Sequence, residues 1–112
     1  MSLAIRMVPE AVRSLDGAAI GTVYMGVGTA LDNPARIIVI QNLTDAEVMF
    51  SFDGIDDHIP LPTRGHIVLD ISANKTIQTG FFMAEGQRLS VKHTGSQPTT
   101  GSVYFSSFYG TD

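Results

Sequence analysis

The chain has no cysteine and no tryptophan, and only 16 % of its 112 residues are charged. Without cysteine there is no disulfide framework, thiolate zinc site, iron–sulfur cluster or cysteine nucleophile. Hydrophobic residues still make up 44 % of the chain, enough for a packed interior, so disorder is excluded as the main state. A domain this short leaves much of its surface exposed, and the scarcity of charge leads us to expect that other subunits cover part of it.

Basic residues and long apolar runs are also scarce. Seven Lys and Arg stand against eleven Asp and Glu, which gives a formal net charge of −4. Because the basic residues are scattered, a phosphate-binding surface is disfavoured. No apolar run approaches the roughly 20 residues that cross a bilayer, and the first residues do not have the pattern of a signal peptide. We therefore expect a soluble, unprocessed protein that binds neither nucleic acid nor membrane.

One helix-like signal lies near the N-terminus, in the segment "VPEAVRSLDG" at residues 8–17. Pro9 suits a first helical position, Glu10 suits the positive end of the helix dipole, and Gly17 can close the C-terminus. Two turns are marginal without packing, so an extended arm that lies on a neighbouring subunit is an equal alternative. Residues 1–18 are accordingly predicted to be an N-terminal arm or short helix, and residues 19–112 a β-domain.

The rest of the chain has the alternation and turn residues of short strands. "RIIVIQN" predicts a strand buried on both faces, either central in a sheet or at a subunit interface. The loop "LTDA" is expected to join it to "EVMFSFD" as a hairpin, and Pro60 and Pro62 restrict the next stretch to a sheet edge. Further strands are predicted in "AIGTVYMGVGTAL", "HIVLDIS", "FFMA", "RLSVKH" and "SVYFSSFYG". About seven to nine short strands indicate an all-β fold, a single antiparallel β-sandwich of jelly-roll or immunoglobulin-like topology or a small barrel.

The densest polar cluster is "DGIDDH", in which Asp53, Asp56 and Asp57 are candidate oxygen ligands for a cation. The favoured interpretation is a hairpin turn, because Asp and Gly supply local hydrogen bonds and positive φ angles, and the spacing is not that of an EF-hand. The metal interpretation requires calcium or zinc to raise the melting temperature.

No catalytic motif is found. His58, His66 and His93 lie in separate segments, there is no Gly-x-Ser-x-Gly elbow, and no helix follows the glycines of "GTVYMGVGT" as a phosphate loop would require. We predict that the protein is not an enzyme and has no cofactor. The rival interpretation, a small hydrolase, requires a pocket with a serine or carboxylate beside His58 or His66.

Aromatic residues are concentrated in "FFMA" and "SVYFSSFYG". Since no basic residues adjoin them, an interface is favoured over a platform for stacking sugars or bases. The contact segments are expected at residues 1–18 and 101–110. The candidate interface residues are Ile5, Val8, Val12, Leu15, Phe81, Phe82, Tyr104, Phe108 and Tyr109.

The run "NPARIIVIQNLTDAEVMFSFDGIDDHIPLP", with "VLDISANKT" and "PTTGSVYFSSFYG", resembles small virion proteins of tailed bacteriophages, from about "IGTVYMGVGT" onward. The resemblance implies a structural role in the virion after synthesis in the host cytoplasm, as an accessory head (decoration or cement) protein or a head–tail junction (neck or collar) protein. Its implied partners are other copies of itself and the major capsid, portal, neck or tail proteins. The alternative is a β-sandwich module that binds carbohydrate or a host surface.

Overall fold

The computed structural model describes residues 6–70 and 82–111, and within these ranges the chain forms short strands and one 3₁₀ helix, Gly17–Ala19. All the strand pairs are antiparallel, and the predicted all-β class is confirmed. The strands are β1 (Arg6–Pro9), β2 (Arg13–Asp16), β3 (Met25–Gly26), β4 (Ile37–Asn42), β5 (Val48–Ser51), β6 (Ile59–Leu61), β7 (His66–Asp70), β8 (Ser90–His93) and β9 (Ser102–Thr111).

The strands form two sheets. A five-stranded sheet has the order β1-β9-β4-β7, with β2 also pairing with β9, and a four-stranded sheet has the order β3-β8-β5-β6. Each sheet turns alternate side chains into one shared core, which gives the molecule the form of a small β-sandwich. The largest buried apolar side chains come from both sheets and from their connections: Ile20, Val27, Ile38, Ile40, Val48, Phe50, Met83, Leu89, Val91, Val103 and Phe105.

Strand β4 is central, as its sequence predicts, and lies between β7 and β9. Ile38 and Ile40 are completely buried in the core, whereas Ile37 and Val39 on the opposite face are only half-buried. The expectation that both faces are buried is therefore wrong for the single chain. No second layer of described residues covers the outer side of this sheet.

The N-terminal segment does not form the helix that is one of its two predicted states. Residues Arg6–Pro9 and Arg13–Asp16 are strands, and they pair one after the other with the long strand β9 of the same chain. The extended alternative is correct in conformation, but within this chain the segment lies on its own sheet. A two-turn helix would forgo these ladder hydrogen bonds, which explains why the local helix signals do not decide the outcome.

The "LTDA" loop does not close a hairpin, because β4 belongs to the five-stranded sheet and β5 to the four-stranded one. The chain passes between the sheets here, and the fully buried Asn42 side chain fixes the crossing. Its amide donates to the carbonyl oxygens of Ala46, Leu61 and Pro62 at 2.9, 3.1 and 3.1 Å. The hairpin is instead formed by β5 and β6, and β6 is an edge strand that contains Pro60, as expected.

Two predicted strands are much shorter than their sequences indicate. In "AIGTVYMGVGTAL" only Met25–Gly26 is a strand, and in the described part of "FFMA" only Met83 forms an isolated bridge, with Ala35. Both segments still contribute to the core through Ile20, Val27 and Met83. Their apolar residues fill the ends of the sandwich without extending a sheet.

Candidate assembly surface

The outer side of the five-stranded sheet carries a strip of apolar side chains that Ser106 interrupts on β9. The strand register places Val39 between Val68 and Ser106, and Ile37 directly opposite Phe108. Antiparallel sheets with one solvated face usually place polar side chains there, so an apolar strip in this position indicates a contact surface. We call the side chains Ile37, Val39, Val68, Tyr104 and Phe108 the outer apolar face; four of them are half-buried and Val68 is 55 % exposed.

Polar residues border this strip at both ends of β4. Gln41 pairs with His66 on one side and with Tyr104 on the other, and Asp70 lies opposite Ile37 at the far end. A strip of apolar side chains within a polar rim is the usual composition of a protein–protein interface.

The neighbouring edges of the two sheets differ in their capacity for strand addition. Strand β7 is an edge of the five-stranded sheet, and no described residue pairs with its free side. In the four-stranded sheet the edge strand β6 contains Pro60, which cannot donate a ladder hydrogen bond. Of these two edges, only β6 has its ladder donors interrupted by a proline.

The N-terminal strands are held on the sheet by Arg13, whose side chain is 7 % exposed. Its guanidinium donates to the carbonyl oxygens of Thr29 and Ala30 at 2.8 and 3.1 Å and to the hydroxyl of Ser107 at 3.3 Å. It also forms an ion pair with Glu10 at 2.7 Å. One side chain thereby connects the N-terminal segment, the loop before β4 and strand β9.

Glu10 completes this connection on the other side of the ion pair. Its Oε2 accepts from the backbone and side-chain nitrogens of Asn33 at 3.0 and 3.2 Å. Burial alone would raise the pKa of Glu10, but hydrogen bonds from Arg13, Asn33 and the Asp32 amide outweigh it and lower the pKa below its usual value. The carboxylate is therefore held ionised at neutral pH in a nearly buried position.

Gly28 provides the space that the Arg13 side chain needs. Its φ is +68°, and a Cβ atom at this position would lie 2.7 Å from the Cβ of Arg13. Both its conformation and the close approach require glycine here.

The predicted interface residues lie in several different environments. Tyr104 and Phe108 belong to the outer apolar face, Val8 and Tyr109 pair with each other in the β1–β9 ladder, and Leu15 packs against the core. Val12 is 62 % exposed between β1 and β2, and Phe82 is 37 % exposed beside the Met83 bridge. Ile5 and Phe81 lie outside the described residues. Ile37, Val39 and Val68 are not among the candidate interface residues named from sequence, although the uninterrupted apolar run of β4 predicts a central or interface strand.

The acidic segment forms a tight exposed turn organised by Asp53. One carboxylate oxygen of Asp53 accepts from the Ser51 hydroxyl and from the amides of Ile55 and Asp56, at 2.8, 2.8 and 2.9 Å. The amide of Asp56, then that of Ile55 and the Ser51 hydroxyl, lower the pKa of Asp53 to about 2. This geometry supports the turn interpretation, since the carboxylate is already used by the backbone it caps.

The three candidate metal ligands do not stay together. The ligand atoms of Asp53, Asp56 and His58 lie within 4.8 Å of one another, whereas Asp57 is engaged elsewhere. Asp57 accepts from the Tyr24 hydroxyl and forms an ion pair with Lys92 at 3.1 Å. Of the sequence cluster "DGIDDH", Asp53, Asp56 and His58 therefore lie together, and Asp57 lies apart from them.

The contacts of Asp57 attach the acidic turn to the four-stranded sheet. The ammonium group of Lys92 also lies 4.7 Å from the centre of the Tyr24 ring, a cation–π arrangement. Burial and the hydrogen bond to Asp57 raise the pKa of Tyr24, and the Tyr24 and Lys92 contacts lower the pKa of Asp57. No sequence spacing indicated this cluster, because its members come from three separate segments.

The histidines occupy separate positions, as their spacing predicts. His58 Nδ1 accepts from the Phe52 amide at 3.0 Å, His93 is buried with Nδ1 3.2 Å from the Gly95 carbonyl oxygen, and His66 is exposed on β7.

In the described part of the chain no helix is long and apolar enough to cross a membrane. Comparison with known proteins gives no match to any family model, curated protein or solved structure.

Proposed function

We propose that the protein is a non-enzymatic structural component of a tailed-phage virion, an accessory head protein or a head–tail junction protein, that assembles by symmetric contacts between copies of itself. The observation that carries this proposal is the outer apolar face, which lies on rigid central strands and has no cover within the described chain. The same role is the one that the sequence resemblance to small virion proteins predicts.

A second copy of the chain suits this face, because the strip is uncharged and the chain as a whole carries a net charge of −4. An acidic partner would be repelled by an acidic contact surface but not by an apolar one. The chain presents this face on a strand pair, β4 and β9, that packing holds in one geometry. A fixed face of this kind suits the repeated, identical contacts of a closed ring or shell.

The energy available from the face predicts weak pairing in solution. Completing the burial of five half-exposed side chains contributes about 1 kcal/mol each, which is about 5 kcal/mol from each copy and about 10 kcal/mol for a contact between two such faces. Association costs about 4–15 kcal/mol in lost translational and rotational freedom and side-chain ordering. A single contact is therefore marginal, whereas several identical contacts within a particle reinforce one another.

Light scattering of the purified protein over a range of concentrations tests the proposal, first alone and then with assembled capsids, portal protein and tail proteins. We expect reversible self-association and stable binding to one of these partners. Binding to capsids would indicate head decoration, and binding to portal or tail proteins would indicate the neck or tail. Failure to bind any of them would contradict the proposal.

Matched lysine variants assign the contact to the outer apolar face. Val68→Lys places a charge in the strip, and Ile55→Lys places one at a more exposed apolar side chain, 79 % against 55 %, outside it. We expect Val68→Lys to abolish self-association and Ile55→Lys to leave it unchanged, with both variants folded. Unchanged assembly of Val68→Lys would overturn the assignment.

Removal of residues 1–18 is not a clean test of a contact made by the N-terminal segment. The deletion removes β1, β2 and Arg13, which are part of the five-stranded sheet. Loss of incorporation in that variant would therefore report loss of folding as well as loss of a contact.

A further inference from the structure

A depression of about 470 Å³ opens at the end of the molecule where the chain passes from β4 to β5. Two turns and the segment that leads into β9 form its walls. Its lining residues are Leu43, Thr44, Asp45, Thr63, Arg64 and Thr100. The volume is within the range of small-molecule sites, about 300–1,000 Å³.

Arg64 stands in a backbone conformation that arginine rarely adopts. Its φ is +66°, the only positive φ among the described non-glycine residues. The Gly65 amide donates to the Pro62 carbonyl at 2.9 Å, so Arg64 occupies the third position of a tight turn, where a positive φ favours glycine or asparagine. Glycine would form this turn with less strain, so the arginine side chain is the feature that needs a reason.

The guanidinium is available for a ligand. In the part of the chain that the structure describes, no ion pair engages Arg64. Its backbone is fixed, since its amide donates to the Asn42 carbonyl at 2.8 Å. The turn therefore holds the backbone of Arg64 at the rim of the depression, and its guanidinium carries five N–H donors.

A fixed carboxylate lines the same depression. Asp45 accepts from the hydroxyl and the amide of Thr99 at 2.6 and 2.8 Å and from the amide of Thr100 at 3.3 Å. The hydroxyl of Thr99, followed by the two amides, lowers the pKa of Asp45 to about 2, so this group is an acceptor at every physiological pH. Its orientation is set before any ligand arrives.

The floor beneath these groups is rigid. The Thr44 hydroxyl donates within the buried Asn42 cluster, 2.6 Å from Asn42 Oδ1 and 2.9 Å from the Ala46 carbonyl oxygen. Gly101, with φ +78°, lets the backbone approach so closely that a Cβ there would lie 2.0 Å from the Leu43 carbonyl oxygen. A ligand therefore meets a preformed site, which reduces the entropic cost of binding.

We propose that this depression is a binding site for a neutral carbohydrate and accommodates one sugar ring. The opposite charges of Arg64 and Asp45 cancel, so a bare anion or cation would be repelled by one of the two. Adjacent sugar hydroxyls can donate to the carboxylate and accept from the guanidinium, while Thr63 and Thr100 add hydroxyl partners. The side chain of Leu43, 48 % exposed, offers an apolar surface to the C–H face of the ring.

The test is an amide NMR titration of the full chain with the methyl glycosides of glucose, galactose, mannose and N-acetylglucosamine, and separately with acetate as an anion probe. We expect at least one sugar to shift the amides of residues 43–45, 63–65 and 99–101, with a millimolar Kd. Absence of shifts with every sugar up to about 100 mM, where a site of millimolar Kd is nearly saturated, would overturn the proposal. The same shifts with acetate and none with sugars would also overturn it.

Substitutions distinguish the two key groups from the fold. Arg64→Gly relieves the strained φ, so we expect an unchanged or higher melting temperature together with at least about tenfold weaker sugar binding. Asp45→Asn is expected to weaken binding as well. Arg88→Ala, which removes an exposed arginine from another part of the surface, is the control and should keep the wild-type affinity. Wild-type affinity in Arg64→Gly would refute the site.

Discussion

Replacing Arg13 with methionine removes the guanidinium that holds the N-terminal strands, while it keeps most of the side-chain volume. The carbonyl oxygens of Thr29 and Ala30 lose their donor, and the nearly buried Glu10 carboxylate loses its counter-charge. Removing one partner of a buried ion pair costs about 3–5 kcal/mol. Because a domain of this size is stable by about 5–15 kcal/mol, we expect the variant to lose about a fifth or more of its free energy of unfolding.

Urea unfolding, followed by circular dichroism and extrapolated to zero denaturant, measures this loss. The double variant Glu10→Gln with Arg13→Met should recover part of the stability, since it no longer leaves an unpaired charge in a nearly buried position. Arg6→Met, at an exposed arginine of β1, is the surface control and should cost less than about 1 kcal/mol. A loss below about 1 kcal/mol in Arg13→Met, or a double variant no more stable than the single one, would refute this account.

The pH dependence provides an independent check of the same ion pair. In the wild type the folded-state pKa of Glu10 is depressed, so its contribution is present above its usual value of 4.5 and is lost as the pH falls through the folded-state pKa. Burial raises the pKa of Glu10, and without Arg13 fewer contacts oppose this rise. The destabilisation caused by Arg13→Met should therefore become smaller on acidification, and an increase would contradict the reasoning.

Further substitutions and a ligand test probe other parts of the molecule. Gly101→Ala forces a Cβ against the Leu43 carbonyl and should cost about 2 kcal/mol or more, whereas Gly95→Ala, with open space around it, should cost less than about 1 kcal/mol by urea unfolding. Millimolar calcium or zinc should leave the melting temperature unchanged if the acidic turn is only structural, and a rise would support a cation site. Asp45→Asn should weaken the dependence of stability on pH between the usual pKa of 3.8 and about 2, because the depressed pKa of Asp45 stabilises the fold above that range and this contribution disappears as the pH falls through it. An acid transition identical to that of the wild type would contradict the last expectation.

Alternation predicted the core positions of two short strands. Val48 and Phe50 in β5 and Val91 in β8 are buried, as the apolar pattern of their sequences indicates. Which strands pair with each other was harder to predict from the sequence. The loop after β4 is short enough for a hairpin, yet the buried Asn42 bonds to Leu61 and Pro62 and directs the chain to the other sheet. Such a contact joins residues far apart in the chain, and no local pattern reports it.

The N-terminal segment is a second case in which long-range contacts override a local signal. Pro9, Glu10 and Gly17 are residue types that favour helix ends. In the fold, however, Glu10 binds Arg13 and Asn33, and the strands on either side of it form ladders with β9. Local propensity is weak compared with a long strand that offers unpaired backbone groups.

The outer apolar face and the depression beside Arg64 also depend on contacts between segments that are distant in the sequence. The apolar run that contains Ile37 and Val39 was visible in the sequence, but its continuation onto Val68 follows only from the β4–β7 register. The depression beside Arg64 was not predicted at all. "PTRG" contains turn residues, but only the structure shows that Arg64 adopts a positive φ.

The pairing of β1 with the end of β9 has a mechanical consequence. Arg6 lies directly opposite Thr111, so the first and last described strands run antiparallel with their outer ends side by side. A pulling force applied at these two ends would load the ladder hydrogen bonds one after another, as in a zipper, and not all together in shear. The ladder would therefore open at low force up to the Glu10–Arg13 clamp, where the side-chain contacts that hold β2 on β9 would take the load.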